Sequence, residues 1–406
     1  MELAAEERKL VSTLQSSDGD AATVKLGLET SSAAFDQLLR GEATLALTTR
    51  QITDEEASAF IEAGLGDPRL SGRETVVALD ALVMATSAEN PLTSLTLQEA
   101  VGVIAGRVTN WSELGGPDSP IELLLPSTTS EAYQVFSEEI MRPLRLRPST
   151  SPTATLEKTD LAQQLSGRPA AIGLTTLSGI GSARPIPLRL ACGLVAQPNQ
   201  FSVKAEDYPL TRRVYLYSRT PNPEGISGAL YEFATSSEGR ALFAALGYID
   251  QSTTSLPVEE QGVRFLSAIM AQSGAANIET LQTMASEILS AERLSTTFRF
   301  DSTGEALDSR GELDVERLAD LLRDRSANSE VILLGFTDDV GRSDINQLVA
   351  KDRADLVRAQ LLSALGDSLP SDSIKSIGLG STAPVACNTD VSGRQANRRV
   401  EVWIKG

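Results

Sequence analysis

The chain has 406 residues, 41% hydrophobic and 22% charged, with a formal net charge of −18 and no histidine. That length supports two or three domains. So acidic a balance excludes partners held mainly by Lys and Arg clusters, nucleic acid and anionic membrane among them. The missing histidine removes His-based triads and the commonest zinc ligand. No nucleophile elbow, P-loop or metal cluster is legible either, so no catalytic residue, metal or cofactor is expected.

In chain order, residues 1–13 read as a short charged helix and 15–22 as a polar turn. The start carries no apolar h-region, so no signal peptide is read there. No apolar run is long enough to cross a membrane. From Val24 to about Gln251 strands and helices alternate: Val24–Leu28, helix Ala33–Arg40, Thr44–Leu47, helix Asp54–Ala63 and the buried strand Thr75–Ala85. Such alternation predicts an α/β fold with a mostly parallel sheet.

Hydroxyls cluster at three strand-to-helix turns: Thr30-Ser31-Ser32, Thr48-Thr49-Arg50, and Ser127-Thr128-Thr129-Ser130 before the helix Ala132–Ile140. Free N–H groups at helix starts, with hydroxyls and an arginine, suit a small oxyanion. Plain N-caps and a surface charge at Arg50 are the other reading of the same residues.

Five phrases of this region appear in one order: T-T-R-Q-I-T-D-E-E (48–56), V-A-L-D-A-L-V-M-A-T-S-A-E-N-P-L (77–92), L-T-L-Q-E-A-V-G-V-I-A-G-R-V-T-N-W-S-E-L-G-G (95–116), A-I-G-L (171–174) and D-Y-P-L-T-R-R-V-Y-L-Y (207–217). Together they resemble type 2 periplasmic solute-binding proteins of the phosphate-binding, PstS-like kind. The resemblance implies two lobes joined by crossing strands with ligand in the cleft. Lobe one would be about 1–78 plus 205–250, and lobe two about 79–204. The third loop departs from the family: where R-x-x-G-S-G-T is usual, this chain has P-S-T-T-S-E-A (126–132). Glu131 would repel a bound phosphate at short range.

Residues 251–294 read as a linker that becomes helical, with apolar stripes at Val263, Leu266, Ile269, Met270 and at Leu281, Met284, Ile288, Leu289. The last segment, 295–406, predicts strand Thr296–Phe300, helix Val315–Arg323, strand Val331–Leu334, a long helix over 344–365, and strands Ile374–Gly378 and Arg399–Ile404. Asp338 follows the second of these strands. Asn346 and Arg353, two turns apart, share one side of the long helix. One arginine of Arg398-Arg399 reads as a strand-edge charge.

The phrases G-F-T-D-D-V-G (335–341), N-Q-L-V-A-K-D-R-A (346–354) and G-R-Q-A-N-R-R-V-E-V (393–402) resemble the peptidoglycan-binding domain of the OmpA family. The resemblance implies a β-α-β-α-β-β sandwich domain. It also implies that Asp338 holds the ammonium, and Arg353 the carboxylate, of diaminopimelate in a stem peptide. Thr337, Asp339 and Asn346 would add hydrogen bonds, and Asn397 and Arg398 would close one wall. An internal ion pair between Asp338 and Arg353 is the competing reading.

Cys192 and Cys387 fit either two separate thiols or one inter-domain disulfide formed in an oxidising periplasm. Two functions remain open. One is a Gram-negative periplasmic protein, moored to peptidoglycan, that captures phosphate or another small oxyanion, with an ABC transporter or another envelope protein as partner. The other is an envelope adaptor whose solute-binding domain has lost its ligand.

Overall fold

The computed structural model describes residues 27, 30–70, 72–128, 130–156, 161–271, 278–300, 306–325 and 329–406. The expected helix over 1–13, the strand Val24–Leu28 apart from Gly27, and Thr129 lie outside the described residues, as does the side chain of Met270. In chain order the strands are β1 (Leu45–Thr48), β2 (Glu74–Thr86), β3 (Glu122–Pro126), β4 (Ala154–Leu156), β5 (Ala171–Thr176), β6 (Arg184–Pro185), β7 (Leu188–Arg189), β8 (Val195–Ala196), β9 (Thr211–Ser218), β10 (Ser255–Pro257), β11 (Glu292–Arg299), β12 (Glu330–Gly335), β13 (Ile374–Gly378) and β14 (Arg399–Lys405). The chain divides into two compact units, 1–80 with 212–252, and 81–211 with 253–406.

In the first unit β1 runs antiparallel to β9, from Leu45 opposite Ser218 to Thr48 opposite Tyr215. Phe35, on the helix Ser31–Arg40, meets Tyr217 edge-on at 5.0 Å. The helix Asp54–Glu62 starts at a complete capping box, Thr53 with Glu56, which satisfies two orphan N–H groups. All thirteen residues of β2 are buried, as an apolar run with almost no alternation demands.

In the second unit β2 continues antiparallel to β5, while β3 lies parallel to both β5 and β4. The sheets are therefore mixed, not mostly parallel, because strands distant in sequence, β1 with β9 and β2 with β5, pair antiparallel. The W-S-E-L-G-G phrase forms a tight turn, Trp111–Leu114, closed by Gly115 at φ 78°. Trp111 is buried there, and its indole N–H donates to the Ala170 carbonyl at 3.0 Å.

The C-terminal sheet runs β10-β11-β14-β12-β13, parallel only between β12 and β13. Alternation along its strands sorts side chains to two faces. Leu333, Val400 and Val402 meet the helices Ser309–Arg323 and Ser343–Leu365 on one. Ile332, Leu334 and Trp403 meet the helices Gly262–Ala271 and Ile278–Ile288 on the other. The segment read as a linker is thus part of this domain, and it supplies the edge strand β10 as well.

Its first helix is turned around from the expected stripe. Val263, Leu266 and Ile269 are exposed, whereas Phe265 and Ala268 face the sheet. The positions i, i+3, i+6 made a stripe, but the inner face also takes Gln261 and the stem of Arg264, which an apolar count overlooks. In the second stripe Met284 and Ile288 are buried and Leu289 is exposed. A short helix, Val391–Asn397, precedes β14 and adds an element to the expected order. Asp390 caps it by accepting from the Gly393 N–H at 2.7 Å.

Residues 205–207, expected at the start of lobe one, join the second unit together with Lys204. The C-terminal domain grips them through arginines. Arg299 donates to the carbonyls of Ala205 and Glu206, at 3.1 and 2.9 Å, and Arg310 to that of Lys204 at 2.7 Å. Leu194, from the β7–β8 hairpin, joins the apolar cluster around Trp403.

Candidate functional site

β12 ends at Gly335, where an added Cβ would stand 1.9 Å from the Ala350 carbonyl oxygen. The long helix Ser343–Leu365 therefore presses backbone to backbone on the strand end, and it holds the loop 336–342 at its own N-terminus. Phe336 is buried under the Arg399 guanidinium, 4.0 Å from its ring centre. The Thr337 N–H donates to the Gly380 carbonyl at 2.8 Å. Its hydroxyl is buried and has no hydrogen-bond partner among the described residues.

Asp338 holds the centre. One carboxylate oxygen accepts the Val340 N–H at 3.1 Å, the Asx-turn pattern. The other takes the Arg398 guanidinium at 2.9 Å. Asn346 is buried and donates to the Asp338 carbonyl at 3.4 Å. Arg353 lies two turns further along the helix, half-buried, 5.3 Å from the centre of the Phe300 ring. Burial, and then the Arg398 charge, push its pKa down, while Asp338 pulls the other way. One acid and two arginines are thereby in electrostatic contact. Asp339 sits on the same loop, exposed.

Asn397 is fully buried and its side chain is engaged on both ends by the loop 385–388. Its oxygen accepts the N–H groups of Val385 and Ala386, at 2.8 and 3.1 Å. Its amide donates to the Ala386 carbonyl and the Asn388 side chain, at 2.8 and 2.9 Å. Asn397 thus holds the loop, and Arg398 is the member of the N-R-R-V phrase that reaches the acid.

Arg399 is no strand-edge charge. It is wholly buried and pairs with Glu401 at 2.6 Å. Glu401 also receives Arg264, Arg293 at 3.3 Å, and the Trp403 N–H at 3.2 Å. Arg293 reaches on to Asp207 at 2.6 Å. Burial alone would raise the Glu401 carboxyl, but the surrounding arginines hold it far below the usual carboxylate range. The sequence reading missed this network. Its signal is an R-x-E-x-W alternation on β14, which puts both charges and the tryptophan on one face.

Several hydroxyls of the N-terminal region bond to backbone groups. Thr30 caps its helix by accepting the Ala33 N–H at 3.3 Å, and Ser31 accepts the Thr49 N–H at 3.4 Å. Thr48 donates to the Arg50 carbonyl at 2.9 Å. Arg50 forks onto Glu56 at 2.6 and 2.8 Å and donates to the Ser32 hydroxyl at 2.7 Å. Burial would raise the Glu56 carboxyl, but Arg50 and the Thr53 N–H outweigh it, and the pKa is lowered. In the second unit Ser130 accepts the Tyr133 N–H at 3.3 Å as an N-cap, and its own N–H donates to the Ser127 carbonyl at 2.8 Å. Thr128 is exposed beside them.

Cys192 and Cys387 are joined in a disulfide within the second unit. Among the described residues no group of three or more His, Cys, Asp or Glu side chains could hold a metal ion.

The PBP superfamily domain matches residues 10–238, and the OmpA family matches residues 297–398. The phosphate-binding protein PstS of Borreliella burgdorferi is 23% identical over 220 residues, covering 52% of this chain and 73% of that protein. The peptidoglycan-binding protein ArfA of Mycobacterium tuberculosis is 38% identical over 90 residues, which are 22% of this chain and 26% of that protein. The crystal structure of a possible phosphate binding protein from Planctomyces limnophilus superposes with a TM-score of 0.51 at 19% identity, over 65% of this chain and 92% of that one. That last likeness is one of fold.

Proposed function

The chain belongs to the PBP superfamily and ends in a domain of the OmpA family, and from there we propose that it is a binding protein of the Gram-negative periplasm, moored to peptidoglycan by its C-terminal domain. The observation that carries this reading is the Asp338–Arg398 pair with Arg353 in electrostatic range of both. A zwitterionic amino-acid head needs an acceptor for its ammonium and a planar donor fork for its carboxylate. A carboxylate has about four lone-pair sites. Asp338 therefore keeps capacity for an ammonium beside the two bonds it already accepts. Arg353 and Arg398 together offer the fork, and the buried Thr337 hydroxyl offers a further bond. Diaminopimelate in a stem peptide carries such a head.

The test is co-sedimentation with purified sacculi. The wild-type chain should pellet with them, and Arg353→Ala should stay in the supernatant. Retention of the variant on sacculi would remove Arg353 from the site.

For the N-terminal domain two readings stand. The fold favours capture of phosphate or another small oxyanion for an ABC transporter, with Thr30, Ser31, Ser32, Thr48, Thr49, Arg50, Ser127, Thr128, Thr129 and Ser130 as the donors. The Arg50–Glu56 fork and the backbone duties of Thr30, Ser31 and Ser130 favour an adaptor that meets another envelope protein instead. Thermal shift against phosphate, sulfate, molybdate and small organic acids separates them. A rise in melting temperature supports capture, and an unchanged melt with every anion supports the adaptor.

A further inference from the structure

The loop 385–388, which Asn397 holds, is joined to the hairpin β7–β8 by a disulfide in the second unit. Cys192 follows β7 in the short hairpin β7–β8, and Cys387 sits in the loop that Asn397 clamps. The Cys192 N–H also donates to the Cys387 sulfur at 3.1 Å. On the other side of that loop the helix Val391–Asn397 lies in direct backbone contact. A Cβ on Gly393 would come within 1.9 Å of the Cys387 carbonyl oxygen, and Arg394 donates to the Asn388 carbonyl at 2.9 Å. The residue after Asn397 is Arg398, whose guanidinium holds Asp338 at 2.9 Å. Apart from the guanidiniums of Arg394 and Arg398, each step in this series is a disulfide, a backbone contact or a short buried amide. It runs from a disulfide through a four-bonded asparagine to an arginine whose backbone that asparagine fixes.

We propose that the Cys192–Cys387 bond and Asn397 are positioning elements of the wall-binding site, so that the solute-binding fold itself sets where Arg398 holds Asp338. This rests on the peptidoglycan reading above for its functional consequence. The structural part stands without it. A disulfide that served stability alone would be indifferent to Arg398. A positioning bond acts through Arg398, and its removal is felt at the acid.

The test uses the full chain in four forms: wild type, Cys192→Ser with Cys387→Ser, Arg398→Ala, and all three substitutions together. Affinity for purified sacculi is measured by sedimentation, and folding is checked by near-ultraviolet circular dichroism. The serine pair should weaken binding about five- to tenfold while keeping the folded spectrum, and it should add nothing once Arg398 is gone, since residues acting through one another are non-additive. Binding equal to wild type, or two effects that multiply, would overturn the proposal.

Amide hydrogen exchange without sacculi gives a second readout. In the serine pair, protection should fall at Val385 and Ala386 and also at Val340, whose N–H is bonded to Asp338. Unchanged exchange at Val340 would overturn the positioning role whether or not the protein binds walls. Failure of the wild type itself to bind sacculi would instead overturn the function proposed above. Should the serine pair not fold, Asn397→Asp takes its place, since it keeps the acceptor for Val385 and Ala386 and loses both donor bonds.

Discussion

Asp338 and Arg398 meet at 2.9 Å across sixty positions of sequence, one on the loop after β12 and the other on the approach to β14. The carboxylate has Arg398 in direct contact and Arg353 in electrostatic range. Asp338→Asn keeps the shape and the Val340 bond but removes the charge that an ammonium needs. Losing one partner of a partly desolvated charge contact costs about 2–5 kcal/mol. Sacculus affinity should therefore fall by roughly thirtyfold or more, with the melting temperature little changed. Arg353→Lys should fall nearly as far, because an ammonium cannot present the planar fork. Sedimentation isotherms decide it, and full affinity in Asp338→Asn would sink the assignment.

Gly335 is needed by backbone contact, not by a turn. An alanine there would drive its Cβ to 1.9 Å from the Ala350 carbonyl and 2.8 Å from its carbon. Neither backbone can yield without lifting the long helix from β12. Gly335→Ala should destabilise the C-terminal domain by about 3 kcal/mol or prevent its folding. Thermal melts read the loss, and a wild-type melting temperature would show that the helix can move after all.

The apolar periods of Ser343–Leu365 and the buried run of β2 were legible because apolar residues make up most of what each element buries. The clustering of Thr337, Asp338, Asn346, Arg353 and Arg398 was legible as a motif. The partner of Asp338 was not, because a loop-to-loop contact over sixty residues leaves no local period. The helix Gly262–Ala271 was misread for a related reason. Its inward face carries Arg264, whose charge meets Glu401, and hydropathy ranks such a residue as outward. Arg293, Arg299 and Arg399 were invisible for the same cause: buried arginines look like surface arginines until their acids are placed.

Those acids give the second unit a defined pH response. Asp207 and Glu401 are both held below their ordinary values, against burial, by Arg293 and Arg264. A carboxyl with a depressed folded pKa contributes stability that is fully present above its unfolded value, near 4, and is lost as pH falls through the folded value. The contribution should be constant from pH 7 to about 5 and decline below about 4. Asp207→Asn should be less stable than wild type at pH 7, by about 3–5 kcal/mol, because Arg293 loses a buried partner. That gap should narrow as pH falls below about 4, as the wild type loses the contribution of its own carboxylate. A gap that stays constant across the titration would mean that Asp207 contributes shape and not charge.

Glu56 decides what Arg50 can do. The pair is a bidentate fork at 2.6 and 2.8 Å, about three-quarters buried on each side chain. An oxyanion approaching Arg50 must compete with a carboxylate already in place. Glu56→Gln removes the competing charge and keeps the capping box with Thr53, since glutamine serves equally at that position. Loss of the ion pair should cost about 1 kcal/mol or less, a fall of roughly 2–4 °C in melting temperature for a domain of this size. If Arg50 belongs to an oxyanion site restrained by Glu56, phosphate should raise the melting temperature of Glu56→Gln more than that of wild type. The doubly substituted Arg50→Ala, Glu56→Gln chain should lose the response. If none of the three forms responds to phosphate, sulfate or molybdate, the fork is structural, and the adaptor reading is favoured.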